Sequence, residues 1–280
     1  MSDLKEKINT IYIISKGRPQ CYTAKILKKI NYPGKWFIVV GNNDKTINEY
    51  KKNWGEDKII IFDWFNQIKK TKFLDNFFDK LPSGASPVRN ATRDISYSRG
   101  ELRHWQFDDD YINFSFFSYK KKKFKTIKDG KILEYFLFKI AEFGYKTNLP
   151  NVGFCLAHET YPAKVLNFSK RIFNAHNLNN LNFVEWEGRL NDDLINAIKV
   201  YKFGQCEFSF KFLNIKPFET QKVEGGLTDI YKDYGTVLKT MYAILYEPKA
   251  TKLVIKFGRY HHNTDWNLIT PKILDYKYGL

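Results

Sequence analysis

The chain has 280 residues, 43% hydrophobic and 17% aromatic, and a formal net charge of +16 from 46 Lys and Arg against 30 Asp and Glu. That apolar content supports a real core and excludes a disordered chain, while its apolar runs are too short to cross a bilayer. The charge favours a polyanionic partner, nucleic acid first.

Only 8 of the basic residues are Arg, as AT-rich coding would write, but such coding selects Lys over Arg and does not explain the excess of bases over acids. Three scattered cysteines, Cys21, Cys155 and Cys206, fit reduced thiols better than a disulfide framework or a zinc site. No basic segment leads into an apolar one at the N-terminus, so a cytoplasmic protein with no membrane partner is expected.

Residues 10–15, TIYIIS, are a β-branched apolar run halted at Lys16-Gly17-Arg18-Pro19, which reads as a buried strand. Thr23 is placed to cap a helix through Ile30, and Pro33-Gly34 is a turn. WFIVVG (36–41) is a second strand, residues 46–55 a helix closed by Gly55, and KIIIF (58–62) a third strand. This β-α-β-α-β order predicts a parallel sheet with crossover helices. Ligands in such sheets sit beyond the strands' carboxyl ends, here the loops 15–19, 41–44 and 63–67.

LPSGASPVRN (81–90) reads as a loop leading into a helix that ends near Gly100. LRHWQF (102–107) is a fourth strand, with Asp108, Asp109 and Asp110 at its carboxyl end. YINFSFFSY (111–119) alternates as a strand and runs into a basic hairpin-like segment, 120–131, with Asp129-Gly130 at its turn. A helix over about 132–143 is closed by Gly144, and residues 151–175 mix strand and loop. A helix over 191–204 is capped by Asn191 or Asp192. Residues 206–213 alternate as a strand, Gly225-Gly226 opens a turn-rich stretch, and 251–262 is a late strand and loop. With no internal repeat and no linker, one domain over 1–280 is expected.

Three adjacent carboxylates repel one another. At a strand end their common use is to hold a hard divalent cation against phosphates, which neutralises the repulsion and stabilises a leaving diphosphate. The plain alternative is a solvated acidic turn. Their placement beside the loops 15–19 and 41–44 favours the first reading.

Several stretches together resemble the TET-associated DNA glycosyltransferases of phages. They are YIISKGRP (12–19) followed by Thr23, WFIVVG with Glu49-Tyr50 downstream, GASPVRNATRD (84–94) and HWQFDDDYINF (104–114). The likeness is clearest over residues 10–115. One departure is the stretched Gly-Ala-Ser-Pro-Val-Arg-Asn where the family commonly has Gly-Ala-Arg-Asn. The resemblance implies a GT-A glycosyltransferase-like α/β fold: a mostly parallel sheet with crossover helices and an elaborated C-terminal half. It makes residues 1–115 the nucleotide-sugar-binding half and 116–280 the acceptor half. It further implies transfer of a sugar from a nucleotide sugar to a hydroxymethylated pyrimidine in DNA, with Mn²⁺ or Mg²⁺.

On that resemblance Asp108 contacts the donor ribose or sugar and Asp110 binds the metal, with Asp109 beside it. Arg18 and Arg89 fork onto phosphate or sugar oxygens, as guanidinium geometry suits. Ser15, Asn42 and Asn90 are hydrogen-bonding groups at the donor, Asn42 toward the nucleobase. The proton acceptor for the attacking hydroxyl is Glu187 or one of the Asp192-Asp193 pair, with Asp193 favoured because Asp192 sits where a helix cap belongs. His262, after the last strand, completes the metal site, since imidazole suits Mn²⁺.

Lys120, Lys121, Lys122, Lys123 and Lys125, interleaved with Tyr119 and Phe124, either track a phosphate backbone or form a solvated loop. A target base inside a duplex has to be flipped out, with Trp105, Trp186 and the Gly225-Gly226 loop as pocket candidates and core packing the alternative for both tryptophans. Two rival readings stay open. A glycosyltransferase acting on a cell-surface or protein glycan gives no reason for the charge. A non-catalytic nucleic-acid-binding domain gives no reason for an intact Asp triplet.

Overall fold

The computed structural model describes residues 2–75, 84–157, 166–167, 171–218, 237–256 and 258–271. A short helix, α1 (Ser2–Ile8), precedes the first strand and was not evident in the sequence. Then come β1 (Ile11–Ile14), α2 (Tyr22–Lys29), β2 (Trp36–Gly41), α3 (Ile47–Trp54) and β3 (Ile59–Phe62). They are followed by α4 (Trp64–Lys70), α5 (Ser86–Ser98) and β4 (Arg103–Asp108). β1, β2, β3 and β4 pair in parallel in the order β3-β2-β1-β4. All four residues of β1 are buried, as a strand covered on both faces must be.

The second half contributes β5 (Tyr111–Ser118), β6 (Lys123–Thr126), α6 (Gly130–Lys146), β7 (Asn151–Leu156), β8 (Leu166–Asn167), β9 (Ala175–Asn179), α7 (Asp192–Lys202) and β10 (Glu207–Pro217). These strands continue the same sheet beyond β4 in the order β9-β7-β10-β5-β6, with β8 on β10. Parallel pairing gives way here to mixed pairing, because β9 and β5 run against their neighbours. The result is a mixed α/β, glycosyltransferase-like architecture. Helix α8 (Val237–Tyr246) and a separate two-stranded ribbon, β11 (Thr251–Lys256) and β12 (Arg259–Thr264), complete the described chain.

β4 and β5 are joined by just two residues, yet four ladder steps separate them in the sheet. Four steps in a flat sheet span about 19 Å, more than two linking residues reach. The sheet therefore curls back toward β4. Register breaks in β10, between Phe210 and Asn214 and between Lys216 and Pro217, mark where a strand bends. An aromatic cluster of Trp105, Phe107, Tyr111, Phe114 and Phe154 sits at this curl, with ring centroids 5.6–6.4 Å apart. It ties the carboxyl end of β4 to the second half of the chain.

Five local expectations are corrected. Thr23 does not cap α2. Cys21 occupies that position at φ 33°, and Thr23 is the second residue of the helix. Ser86-Pro87 opens α5 rather than ending a loop, since Pro fits the first helical turn, so Arg89 and Asn90 are helical. Asp129-Gly130 is not the hairpin turn: the turn lies around Lys122 at φ 49°, and Asp129 caps α6 by accepting from the Lys131 N–H at 2.8 Å. Gly144 does not stop α6 but lies within it, where an added Cβ would fall 2.6 Å from Val152 and 2.8 Å from the Arg103 guanidinium. His261 and His262 belong to β12 rather than to a loop.

Candidate active site

The site is built on the carboxyl ends of β1, β2 and β4. Asp108 is the last residue of β4, and Asp109 and Asp110 form the turn into β5. Thr23 locks this turn. Its hydroxyl donates to the Asp108 carbonyl at 2.6 Å and accepts from the Tyr111 N–H at 3.0 Å, while its N–H donates to the Asp109 carbonyl at 3.1 Å. A buried threonine thus fixes the backbone that aims the three carboxylates. The Tyr111 hydroxyl braces it further by accepting from the Asp108 N–H at 3.1 Å and donating to the Asn174 carbonyl.

The three carboxylates have different partners. Asp109 is turned inward, accepting from the Ser15 hydroxyl at 2.5 Å and from Arg18 Nη1 at 2.9 Å. Ser15 also meets the Tyr50 hydroxyl at 2.6 Å, and that hydroxyl accepts from the Arg18 N–H at 2.9 Å. Asp109 therefore positions the β1 loop. Asp110 Oδ2 lies 3.9 Å from Arg18, and its Oδ1 is buried with no hydrogen-bond partner among the described residues. Asp108 Oδ1 accepts from Arg89 Nη2 at 3.2 Å.

Arg89 is the hub on the other side. Nε donates to Asp192 Oδ2 at 2.8 Å, the guanidinium carbon stacks 4.7 Å from the Trp186 ring, and Nη1 is buried with no hydrogen-bond partner among the described residues. Asp192 opens α7 but does not cap it. The capping position belongs to Asn191, at φ 56°, whose side chain donates to the Lys239 carbonyl at 2.6 Å. Asp192 was legible as a capping residue and, paired with Asp193, as a candidate base; it joins the site through an arginine far away in sequence.

The electrostatics follow. Four carboxylates, of Asp108, Asp109, Asp110 and Asp192, surround two guanidiniums, those of Arg18 and Arg89. The pocket holds two excess negative charges within a chain of net charge +16. Burial raises the Asp108 carboxyl to about 7, with Asp110 and Asp192 adding repulsion against the opposing pull of Arg89. Burial and Asp109 raise Asp110 to about 6, against Arg18. Burial opposes the charge of Arg89, but Asp108 and Asp192 outweigh it, so its proton is held more firmly than in water. Two protons or one dication would balance such a site.

Other predicted residues lie farther out or are differently engaged. Asn42 is exposed at the end of β2 and accepts from the Trp64 N–H at 3.1 Å. The Asn90 amide clasps the Trp186 backbone at both ends, at 3.0 and 2.9 Å. Glu187 is ion-paired with Lys199 at 2.7 Å. Asp193 Oδ1 accepts from the Leu194 N–H at 2.8 Å, with Arg171 Nε 3.9 Å from its Oδ2. His262 Nδ1 lies 3.3 Å from the Asn191 amide, and burial, then Arg171, lowers it to about 4. Among the described residues no group of three or more His, Cys, Asp and Glu has the arrangement of a complete metal cage. Trp105 is core, and Trp186 is the platform under Arg89. The Gly225-Gly226 loop lies outside the described residues.

Lys120, Lys121, Lys122 and Lys123 are exposed at the tip of the β5–β6 hairpin, with Lys125 half-buried behind them. β5 starts at the triplet and runs away from it, so seven steps of about 3.3 Å put the lysines roughly 25 Å from Asp110. Residues that sequence reasoning did not place in the site are Tyr111 and Asp44. Asp44 accepts from the Gly17 N–H at 2.7 Å and so joins the loops after β1 and β2.

No helix among the described residues is long and apolar enough to cross a membrane. No curated protein shows significant similarity to the chain. A family profile described as TET-Associated Glycosyltransferase matches residues 9–226. That span covers most of the chain and runs from β1 through β10, including every carboxylate and arginine of the pocket. The protein is a member of the TET-associated glycosyltransferase family, and hence a glycosyltransferase.

Proposed function

We propose that this glycosyltransferase moves a sugar from a nucleotide sugar to the hydroxymethyl group of a pyrimidine in DNA, with Mn²⁺ or Mg²⁺ at the Asp triplet. The observation that carries the reading is the pocket's excess of two negative charges beside two arginines, at the strand ends where nucleotides bind in open α/β sheets. The donor set fits a hard cation. The unpartnered Asp110 Oδ1 is an oxygen ligand, and a hard cation at a nucleotide site takes one or two carboxylates and completes its shell with substrate phosphates and water. Asp110 would hold the cation, with Asp108 beside it toward the donor ribose or sugar, and the bound cation would supply positive charge to the leaving diphosphate.

The chain's own residues do the rest. Arg89 Nη1 is a buried donor with no partner among the described residues, available to a phosphate or sugar oxygen. Arg18, held by Asp109, closes the opposite side. The acceptor hydroxyl loses its proton to a carboxylate at the start of α7. Asp193, whose guanidinium contact with Arg171 is the looser one at 3.9 Å, is the better acceptor, and Asp192, bonded to Arg89 at 2.8 Å, is the rival. Asp193→Asn is expected to lower turnover about 10²–10⁴-fold while donor affinity is kept. Turnover at the parent rate, measured with saturating donor, would move the assignment to Asp192.

The net charge supports a DNA acceptor, and the lysine hairpin supplies one phosphate contact surface. With Lys121→Ala and Lys123→Ala combined, the slope of log affinity against log salt on long duplexes should fall by roughly 0.9 per lost phosphate contact. Donor affinity should stay the same, since the hairpin is remote from the pocket. An identical slope would make the run a solvated loop only.

The deciding experiment is incubation with hydroxymethylcytosine- or hydroxymethyluracil-containing DNA and a panel of nucleotide sugars, with and without Mn²⁺. Digestion and mass spectrometry should find a nucleoside heavier by one sugar, formed only with metal. Donor hydrolysis or glycan transfer with no DNA product under any donor would sink the DNA reading.

A further inference from the structure

We propose that the β11–β12 ribbon is the element that grips acceptor DNA beside the catalytic pocket, and that the lysine hairpin engages only distant phosphates. The inference rests on the DNA reading above and deepens it. The ribbon lies outside the family-matched span of residues 9–226.

Its register sorts the side chains. Residues directly opposite in an antiparallel pair share a face. Lys252 pairs with Asn263, Val254 with His261, and Lys256 with Arg259, giving one basic face. Leu253 pairs with His262 and Ile255 with Tyr260 on the other. Residues 248–264 contain no Asp or Glu. Lys252, Lys256 and Arg259 are exposed and make no ion pair with the described residues.

The Lys256–Arg259 pair sets two like charges directly across the ribbon, which destabilises it in isolation. A polyanion seated on that face removes the penalty. The apolar face also stays open at the tip, where Ile255 is 71% and Tyr260 46% exposed. A two-stranded ribbon is narrow enough to enter a major groove, and an exposed Tyr can stack on an unpaired base.

Position separates this surface from the lysine hairpin. His262 of β12 touches the Asn191 amide, Asn191 precedes Asp192, and Asp192 and Asp108 are bridged by Arg89. The ribbon thus stands next to the pocket through its His262 face, with the basic face on its outer side, while the lysines lie roughly 25 Å away along β5. A base delivered to the pocket brings its neighbouring phosphates to the ribbon, whereas the hairpin meets phosphates about seven base pairs off, at 3.4 Å per pair.

The test compares Lys256→Ala/Arg259→Ala with Lys121→Ala/Lys123→Ala and the parent, by salt titration of DNA affinity. A long duplex and a 10-base-pair duplex centred on one hydroxymethylated base are both used. The ribbon variant should lower the salt slope by about 1.8 on both DNAs and raise the acceptor KM, with the nucleotide heat-shift unchanged and the melting temperature equal or higher. The hairpin variant should match the parent on the short duplex. A parent that binds DNA with an unaltered slope in the ribbon variant overturns the inference and leaves the DNA reading standing. A parent with no salt-dependent DNA binding overturns both. A ribbon variant that changes the oligomeric state but not the slope makes the ribbon a protein contact and overturns the inference.

Discussion

Asp110→Asn is expected to abolish metal-dependent turnover and, without metal, to raise the melting temperature at pH 7.5. In the parent, burial and Asp109 hold this carboxyl at about 6, above its ordinary 3.8. Between these values the folded protein binds more protons than the unfolded chain, so the carboxyl's contribution to stability falls as pH rises. The penalty is absent below pH 3.8 and complete above about pH 6. It is on the order of 1–3 kcal/mol, discounted because the side chain keeps 25% of its surface exposed. The variant should therefore melt a few degrees higher at pH 7.5 and match the parent near pH 4. Saturating Mn²⁺ with a nucleotide should reverse the order, because only the parent gains from binding. Turnover should fall by at least about 10²-fold. A variant with parental activity, or one whose metal response is intact, would remove Asp110 from the site.

Arg89→Met should have the opposite effect on stability. It leaves the buried Asp192 and the half-buried Asp108 without the guanidinium that now bonds both. Breaking a buried ion pair by removing one partner costs roughly 3–5 kcal/mol, a drop on the order of 10 °C for a chain of this size. Adding Asp192→Asn should recover part of the loss, because one of the two stranded charges is gone. Thermal melts of the single and double variants at pH 7.5 read this directly. Arg89→Lys keeps the charge but not the fork, so it should fold, yet lose donor affinity. Additive melting shifts in the Arg89–Asp192 pair would mean the two do not interact.

The two predictions move stability in opposite directions for one reason. The pocket has more acid than base, so removing a carboxylate relieves it and removing a guanidinium aggravates it.

Much of the framework was legible from short stretches. TIYIIS, WFIVVG and KIIIF are runs whose β-branched residues admit little but a strand, and they appear as β1, β2 and β3 with ends shifted by about one residue. The triplet's place at the carboxyl end of β4 followed from the same logic. Local signals with two meanings were misread. Ser86-Pro87 suits a turn as well as a first helical turn, and Gly144 resembles a helix stop although its missing Cβ makes room for Arg103.

Periodicity and turn chemistry act over a few residues, so they set the strands, the helices and the end of the sheet where Asp108, Asp109 and Asp110 stand. The different partners of those three carboxylates depend on residues far away in the chain. Asp109 turns inward because Ser15 and Arg18 arrive from β1, 94 and 91 residues away. Asp192 leaves its helix terminus for Arg89, 103 residues away, because a buried guanidinium needs its charge matched. Thr23 gives up capping to hold the turn after β4, 85 residues on, since a buried carbonyl needs a donor. Which carboxylate is held and which is left open is decided when packing brings these groups together and burial forbids leaving them unpaired.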